Sequence, residues 1–339
     1  MAQSLRLGGF KVLKDVARLS LSLSQEAHDH PAEFFNAIAQ HRINLPYLTC
    51  MKQGPSWELN ILVEAQDEDR LAHLIENSLG KTFNRASNRA VLSIFPHKRN
   101  PEITGSLLEA LDQNILELEG FANSPSAISI VLQAEHLSIA SDALFEPFSF
   151  SAYRTPSDWK LAQKGKEQLY KEVVATYQEQ RPKVYGLEYH DGQELLHLQV
   201  GKKDLCYVGR GLKAFAQSGI RLPFLTKSPY DEEGKASLLM CLPSRPERPY
   251  GGAFGEMGAH IETGTTPDVT VFSMNGPHFG DRYGIAFELL FALNEKNIPL
   301  LGLNCTIASI TGVVFSSQFK STIQAIKGCF EVPSVTKKE

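Results

Sequence analysis

Leu19, Leu21 and Leu23 alternate with polar residues, which lays one face of an extended strand against a core. Leu196, Leu198 and Val200 repeat that alternation in the second half of the chain. Read onward, the apolar pattern predicts a strand at 17–23, a helix at 31–41, strands at 44–51 and 58–63, and a helix at 68–78. Leu71, Leu74 and Ile75 share one face of that last helix. A strand at 91–94 follows. The order then restarts with a helix at 104–113, strands at 115–121 and 127–131, and a helix at 139–144. The repeated unit is βαββαβ, the ferredoxin-like arrangement. Helices on one face of an antiparallel sheet bury the alternating leucines, which gives an α+β class.

The chain also repeats itself at larger scale. Residues 30–49 read HPAEFFNAIAQHRINLPYLT and residues 207–226 read YVGRGLKAFAQSGIRLPFLT. Ala37, Ala39, Gln40, Ile43, Leu45, Pro46, Leu48 and Thr49 recur as Ala214, Ala216, Gln217, Ile220, Leu222, Pro223, Leu225 and Thr226, all at one fixed spacing. Gly9 recurs as Gly186. With small drifts, Pro96-His97 pairs with Pro277-His278 and Ile115 with Ile298. Two homologous halves, 5–153 and 183–335, are expected. A helix should join them. Thr155-Pro156-Ser157-Asp158 has capping-box spacing, Leu169, Tyr170, Val173, Val174 and Tyr177 form one stripe, and Arg181-Pro182 ends it. Its charged face reads as solvated surface.

At 339 residues the chain is long for a single core. A net charge of −4 gives no broad attraction to nucleic acid or to anionic membrane. The opening MAQSLRLGGF lacks the apolar core of a signal peptide, and no stretch approaches the roughly 20 apolar residues that span a bilayer. Five scattered cysteines suit a reducing, cytoplasmic setting.

Several passages carry a family resemblance. Asn114-Ile115-Leu116-Glu117-Leu118-Glu119-Gly120 is followed by Ser126-Ala127-Ile128-Ser129-Ile130-Val131. Asp281-Arg282-Tyr283-Gly284-Ile285-Ala286 precedes Leu289–Leu293 and Asn297-Ile298. His41-Arg42-Ile43-Asn44-Leu45 leads to Thr49. These resemble the ACT domain, specifically the paired ACT domains of aspartokinase regulatory regions. The resemblance implies four tandem ACT modules in two pairs: 1–90, 91–153, 183–268 and 269–335, with a linker helix at 154–182. Residues 6–14 are a candidate strand of the second module. Like modules should lie side by side, the first on the third and the second on the fourth, as an internal pseudo-dimer. A homodimer and a partner enzyme are further expectations of the family. Aspartokinases open with a nucleotide-binding kinase domain, for which this chain has no room, and no Walker A pattern occurs. The resemblance therefore implies an effector-binding regulatory protein that is not an enzyme and uses no cofactor.

An amino acid presents a carboxylate and an ammonium, and a strand-to-helix turn can hold both. The helix N-terminus takes the carboxylate; an acidic side chain takes the ammonium. The four such turns hold His28-Asp29-His30-Pro31-Ala32, Arg99-Asn100-Pro101-Glu102, Lys203–Gly209 and Gly280–Gly284. By resemblance, Asp29 and Asp281 are candidates for the ammonium, and Ala32, Gly284 and Ile285 for the carboxylate. His30, Pro31, Thr49, Gly209, Thr226 and Arg282 complete the effector-site candidates. Lysine or threonine is the ligand the family implies. The alternative for the aspartates is an ordinary helix cap worth about 1 kcal/mol.

Other motifs are weaker. His28 and His30 supply only two of the three or four ligands that a metal needs. Gly251–Gly258 lacks the strand and the terminal Lys-Ser/Thr of a phosphate loop. Pro96-His97 and Pro277-His278 read as shared loop geometry, with a contact to ligand as the alternative. Two other functions stand beside the sensor: an enzyme with its active site near 251–258, and a scaffold with no ligand.

Overall fold

The computed structural model describes residues 4–24, 31–79, 82–163, 181–244, 261–276, 283–306 and 309–338. In chain order, the first half holds β1 (Leu5–Leu7), β2 (Gly9–Ser24), α1 (Pro31–Gln40), β3 (Tyr47–Gln53), β4 (Ser56–Glu64), α2 (Glu68–Leu79) and β5 (Asn84–Phe95). It continues with α3 (Pro101–Gln113), β6 (Gly120–Asn123), β7 (Ile128–Gln133), α4 (Leu137–Ala143), β8 (Phe148–Phe150) and α5 (Pro156–Gln163). The second half holds β9 (Gly186–Gly201), α6 (Leu205–Gln217), β10 (Phe224–Lys227), β11 (Lys235–Pro243) and β12 (Glu262–Asn275). Then come α7 (Ile285–Asn294), β13 (Leu300–Thr306), β14 (Ser309–Phe315), α8 (Phe319–Cys329) and β15 (Val335–Lys337).

The alternating leucines lie on β2 as expected, but the strand is longer than the pattern shows. Residues 16–24 pair with β4, while residues 9–13 pair only with the end of β5. A register shift between Leu13 and Val16, with Asp15 at φ 57°, divides the two parts. β9 is divided in the same way: its C-terminal part runs along β11 and its N-terminal part along β15. The polar start of β5 (Asn84–Arg89) was invisible to periodicity because much of it faces solvent.

The hydrogen-bonded order β5-β2-β4-β3 is the 4-1-3-2 order of a βαββαβ unit. The order across the whole sheet is β11-β10-β6-β7-β5-β2-β4-β3-β13-β14-β12-β9-β15, and a β11–β9 pairing closes it into a ring. Closure removes the free edges that each half would expose alone. Helices α1, α2, α7 and α8 cover one outer face, burying Phe34, Ile61, Leu289 and Ile326. Helices α3, α4 and α6 cover the other, burying Leu107, Ile130, Leu212 and Leu238. Inside the ring, Met51, Leu195, Phe224, Val271 and Val313 meet in a separate apolar layer. A Cβ on Gly302 of β13 would stand 2.9 Å from the Phe224 ring of β10, so the opposed strands are in contact there.

The pairing of the repeats differs from expectation. The first repeat joins the fourth, through β3 on β13, and the second joins the third, through β6 on β10. The helices fit this pairing. Gly105 of α3 and Gly209 of α6 are the small residues that let those two helices meet backbone to backbone. The register also corrects one correspondence. Ile115 matches Asn297, both at positive φ, and the buried Leu116 matches the buried Ile298. Arg42 and Gly219 hold the same left-handed turn in the other two repeats.

The connecting helix begins as its capping box requires. The Asp158 carboxylate accepts from the Arg154 and Thr155 N–H groups, and the Thr155 hydroxyl oxygen accepts from Asp158 N–H. The expected stripe at 169–177 lies outside the described residues. No described helix is long and apolar enough to cross a membrane.

Candidate functional site

The ring has two seams between repeats, built from equivalent elements. At one, β3 pairs with β13 over Met51–Gly302, Cys50–Leu303, Thr49–Asn304 and Leu48–Cys305, and α1 lies beside α7. At the other, Thr226 pairs with Ala122 and Lys227 with Phe121, while α3 packs on α6. Thr49 and Lys227 thus share a register with Thr226 and Cys50 of the opposite seam.

A cleft opens at the first seam. One wall is Phe35 and Ile38 of α1, with Ile43 and Leu45 from the turn that follows it. The second is Tyr283, Gly284, Ile285, Ala286 and Phe287 at the start of α7. The floor is Cys305, Thr306 and Ile310, where β13 passes to β14. The cavity itself is small, about 30 Å³, and the wider space of about 440 Å³ includes open solvent. Gly284 precedes α7 at φ +87°, a conformation that favours glycine, and a Cβ there would stand 3.4 Å from the Ala39 Cβ. The Gly284 carbonyl accepts from Glu288 N–H at 2.9 Å, which sets the first turn of α7 against the cleft. The N–H groups of that turn have no partner within the helix and carry its partial positive charge. Thr306 Oγ1 lies 3.1 Å from Ser309 Oγ. Burial pushes the Cys305 thiol up, so it stays protonated and acts as an apolar wall.

The second seam is shut at the corresponding place. The Leu107-Leu108 pair and Leu111 of α3 recur as Leu289-Leu290 and Leu293 of α7, which sets Gly105 opposite Phe287 in the comparison. Gly209 likewise corresponds to Ala32. A Cβ on Gly209 would come 2.9 Å from the Gly105 carbonyl oxygen, and Lys213 reaches Glu109 across the crossing at 2.8 Å. Asn123 stands where Cys305 stands in the open seam. Its amide donates to Leu222 O at 3.0 Å and its oxygen accepts from Leu225 N–H at 2.5 Å. Leu222 N–H donates to Arg99 O at 3.0 Å, so the α6–β10 connection is tied onto the β5–α3 turn.

Lys227 is buried in this closed seam. Its ammonium donates to Leu118 O at 2.9 Å and Ser228 O at 2.8 Å, and lies 3.7 Å from the Tyr230 ring centroid. Burial pushes its pKa down to about 7, against the raising field of Glu117. His97 is also buried, with Nε2 2.5 Å from the Ser124 carbonyl; burial pulls it down to about 4.

Of the effector-site candidates, Gly284 and Ile285 line the cleft. Asp29, His30, Asp281 and Arg282 lie outside the described residues, as do His28, His278 and the glycine-rich run 251–258. Pro31 opens α1. Ala32 is buried in the first turn of α1, and Thr49 faces Asn304 across the seam. Gly209 sits in the α3–α6 crossing, and the Thr226 hydroxyl donates to Phe121 O at 3.1 Å in the closed seam. The walls that sequence reasoning missed are Phe35, Ile38, Leu45, Phe287, Cys305, Thr306 and Ile310. Phe35, Ile38, Ile43 and Leu45 stood inside the repeated segment, and Ile43 and Leu45 among its identical pairs.

No protein-family model matches the sequence, and no curated protein matches it. Solved structures do. An aspartate kinase from Synechocystis superposes over 96% of this chain with a TM-score of 0.76 at 13% sequence identity. The chain shares its fold with an aspartate kinase. It covers 56% of that kinase, so it spans just over half the length of the enzyme it matches. The regulatory subunits of aspartate kinase from Thermus thermophilus and Thermus flavus overlap 42% of this chain, each at a TM-score of 0.38 and at 19% and 18% identity; the overlap takes in 99% and 97% of their own chains. The expectation of a non-enzyme is corrected by the first of these matches, because nearly the whole chain follows the fold of an enzyme. The lack of a nucleotide-binding motif was too narrow a basis for that exclusion.

Proposed function

We propose that this chain is an amino-acid-binding, allosterically responsive protein of the aspartokinase type, with its effector in the open cleft between α1 and α7. The carrying observation is that cleft: a helix N-terminus aimed into a seam between two repeats whose twin seam is shut. The first-turn N–H groups of Ile285, Ala286 and Phe287 suit an α-carboxylate. Asp281, two residues before Tyr283 in sequence, is our candidate for the α-ammonium. We further propose that the four repeats are ACT units with the boundaries 1–90, 91–153, 183–268 and 269–335.

An effector bridging α1 and α7 couples the first repeat to the fourth and favours whichever packing holds both walls at contact distance. A thermal-shift screen of the twenty amino acids tests the reading. A ligand at 100 times its dissociation constant adds about 2.7 kcal/mol, so one or a few amino acids should raise the melting temperature by several degrees. A flat screen overturns it.

A second reading, participation in an aspartate-kinase reaction, is supported by the length of the match to the Synechocystis enzyme. Release of ADP from ATP that depends on aspartate, with this chain as sole protein, would support it.

A further inference from the structure

We propose that the closed seam is a proton-controlled joint: the second and third repeats hold together most tightly when Lys227 has given up its ammonium proton. Lys227 belongs to β10 of the third repeat and is 0% exposed. Its ammonium reaches across the joint to Leu118 O of the second repeat at 2.9 Å, and back to Ser228 O at 2.8 Å. The Tyr230 ring, 3.7 Å away at its centroid, is a further contact. All three of these partners are neutral. The strand pairing at this joint is only two residue pairs long, Thr226 with Ala122 and Lys227 with Phe121. A buried cation therefore sits on the contact itself, where its desolvation weighs against closure.

The charged groups around Lys227 are engaged with one another. Glu117 accepts from Lys202 at 2.7 Å, and Glu119 accepts from Arg18 at 2.9 Å and Arg89 at 2.7 Å. Burial opposes the Lys227 charge most; Glu117 and Glu119 favour it, and Arg18 and Lys202 oppose it. Burial also pushes the Tyr230 phenol up, with Glu117, Asp112 and Asp204 adding to the shift, so Tyr230 stays protonated. A neutral amine keeps two N–H donors for the two carbonyls and sheds the charge. Parting the repeats returns the amine to water, where it takes up a proton below about pH 10.4. Opening this seam is thus coupled to proton uptake. The open seam has Cys50 at the equivalent register, a thiol that burial keeps protonated. Exposing it releases a proton instead of binding one, so raising the pH does not tighten that seam.

Amide hydrogen exchange of the full chain, corrected for the intrinsic rate at each pH, tests this. Between about pH 7 and pH 8.5, protection of the β6 and β10 amides should rise about tenfold. Protection of β3 and β13 should not rise. Lys227→Met removes the proton and should leave the closed seam well protected at both pH values. Lys227→Arg keeps the charge throughout and should leave it poorly protected at both. Glu117→Gln takes away a carboxylate that favours the proton, so the rise should begin at lower pH. A rise that persists in Lys227→Met would overturn the proposal, because another group would then carry the proton. An equal rise at both seams, or none in the parent, would overturn it as well.

Discussion

At the closed seam two glycines, Gly105 and Gly209, bring α3 and α6 into backbone contact, and Asn123 ties the neighbouring connection in place. At the open seam the same three places hold Phe287, Ala32 and Cys305. The Phe287 ring lies tilted at 45° against Phe291 of α7, with centroids 5.5 Å apart, and stands in the cleft wall. The elements, the strand register and the turns are shared. These three places are among those at which the closed joint and the open one differ.

The largest test of that comparison is to add bulk where the closed seam has none. Gly105→Val drives a branched side chain into the Gly209 carbonyl and should cost about 3 kcal/mol in urea unfolding. Phe287→Val, at the equivalent place in the open seam, should cost about 1 kcal/mol. Equal costs would remove the distinction between the seams.

Asn304 ties the seams to each other. Its amide donates to Asn123 O at 3.2 Å and Leu225 O at 3.0 Å, across the inside of the ring. Asn304→Ala leaves two buried carbonyls without that donor and should cost about 2 kcal/mol. A loss below a few tenths of a kcal/mol would mean that the seams are energetically independent.

How far all this could be read in advance depends on the level of structure. Leu19, Leu21 and Leu23, the helix at Pro31 and the segment repeated at 207–226 were enough for the βαββαβ order, because periodicity is local. The choice of partner was not legible. The edges meeting at the seams, around Leu48-Thr49-Cys50, Leu225-Thr226-Lys227, Phe121-Ala122 and Leu303-Asn304, carry interchangeable strand-like sequences. The close fit of Gly105 on Gly209 goes with the observed pairing. The cleft was half legible. Gly284 and Ile285 stood out as a helix start, whereas Ile38 and Ile310 read as ordinary core until two repeats meet and leave space between them.

Lys227 sharpens the comparison through pH. Its counterpart in the open seam is Cys50, whose thiol burial pushes up and keeps neutral. Lys227 is pushed down to about 7, whereas an unfolded lysine keeps its proton to about 10.4. Between those values the unfolded chain binds more protons, so stability rises with pH and the cost of the buried charge is fully present below 7. Relative to the parent, Lys227→Met should therefore lose about 1 kcal/mol of its advantage per pH unit from 7 to 10. Parallel stability curves for the two proteins would contradict this.

The smallest effect concerns the repeated left-handed turn. Ile115 is 90% exposed at φ 57°, a conformation costly for a branched residue, where the fourth repeat has Asn297 at φ 51°. Ile115→Asn should stabilise the protein by about 1 kcal/mol, and Asn297→Ile should destabilise it by a similar amount. Thermal melts of the two variants moving in the same direction would break the equivalence of the turns.

The stoichiometry of amino-acid binding tests the central claim most directly. Titration calorimetry of the full chain with the amino acid that most raises its melting temperature should give one site per chain, weakened by Ala286→Leu and unaffected by Asn123→Ser in the closed seam. Two equivalent sites per chain would show that the seams have not diverged in function, and would contradict the account.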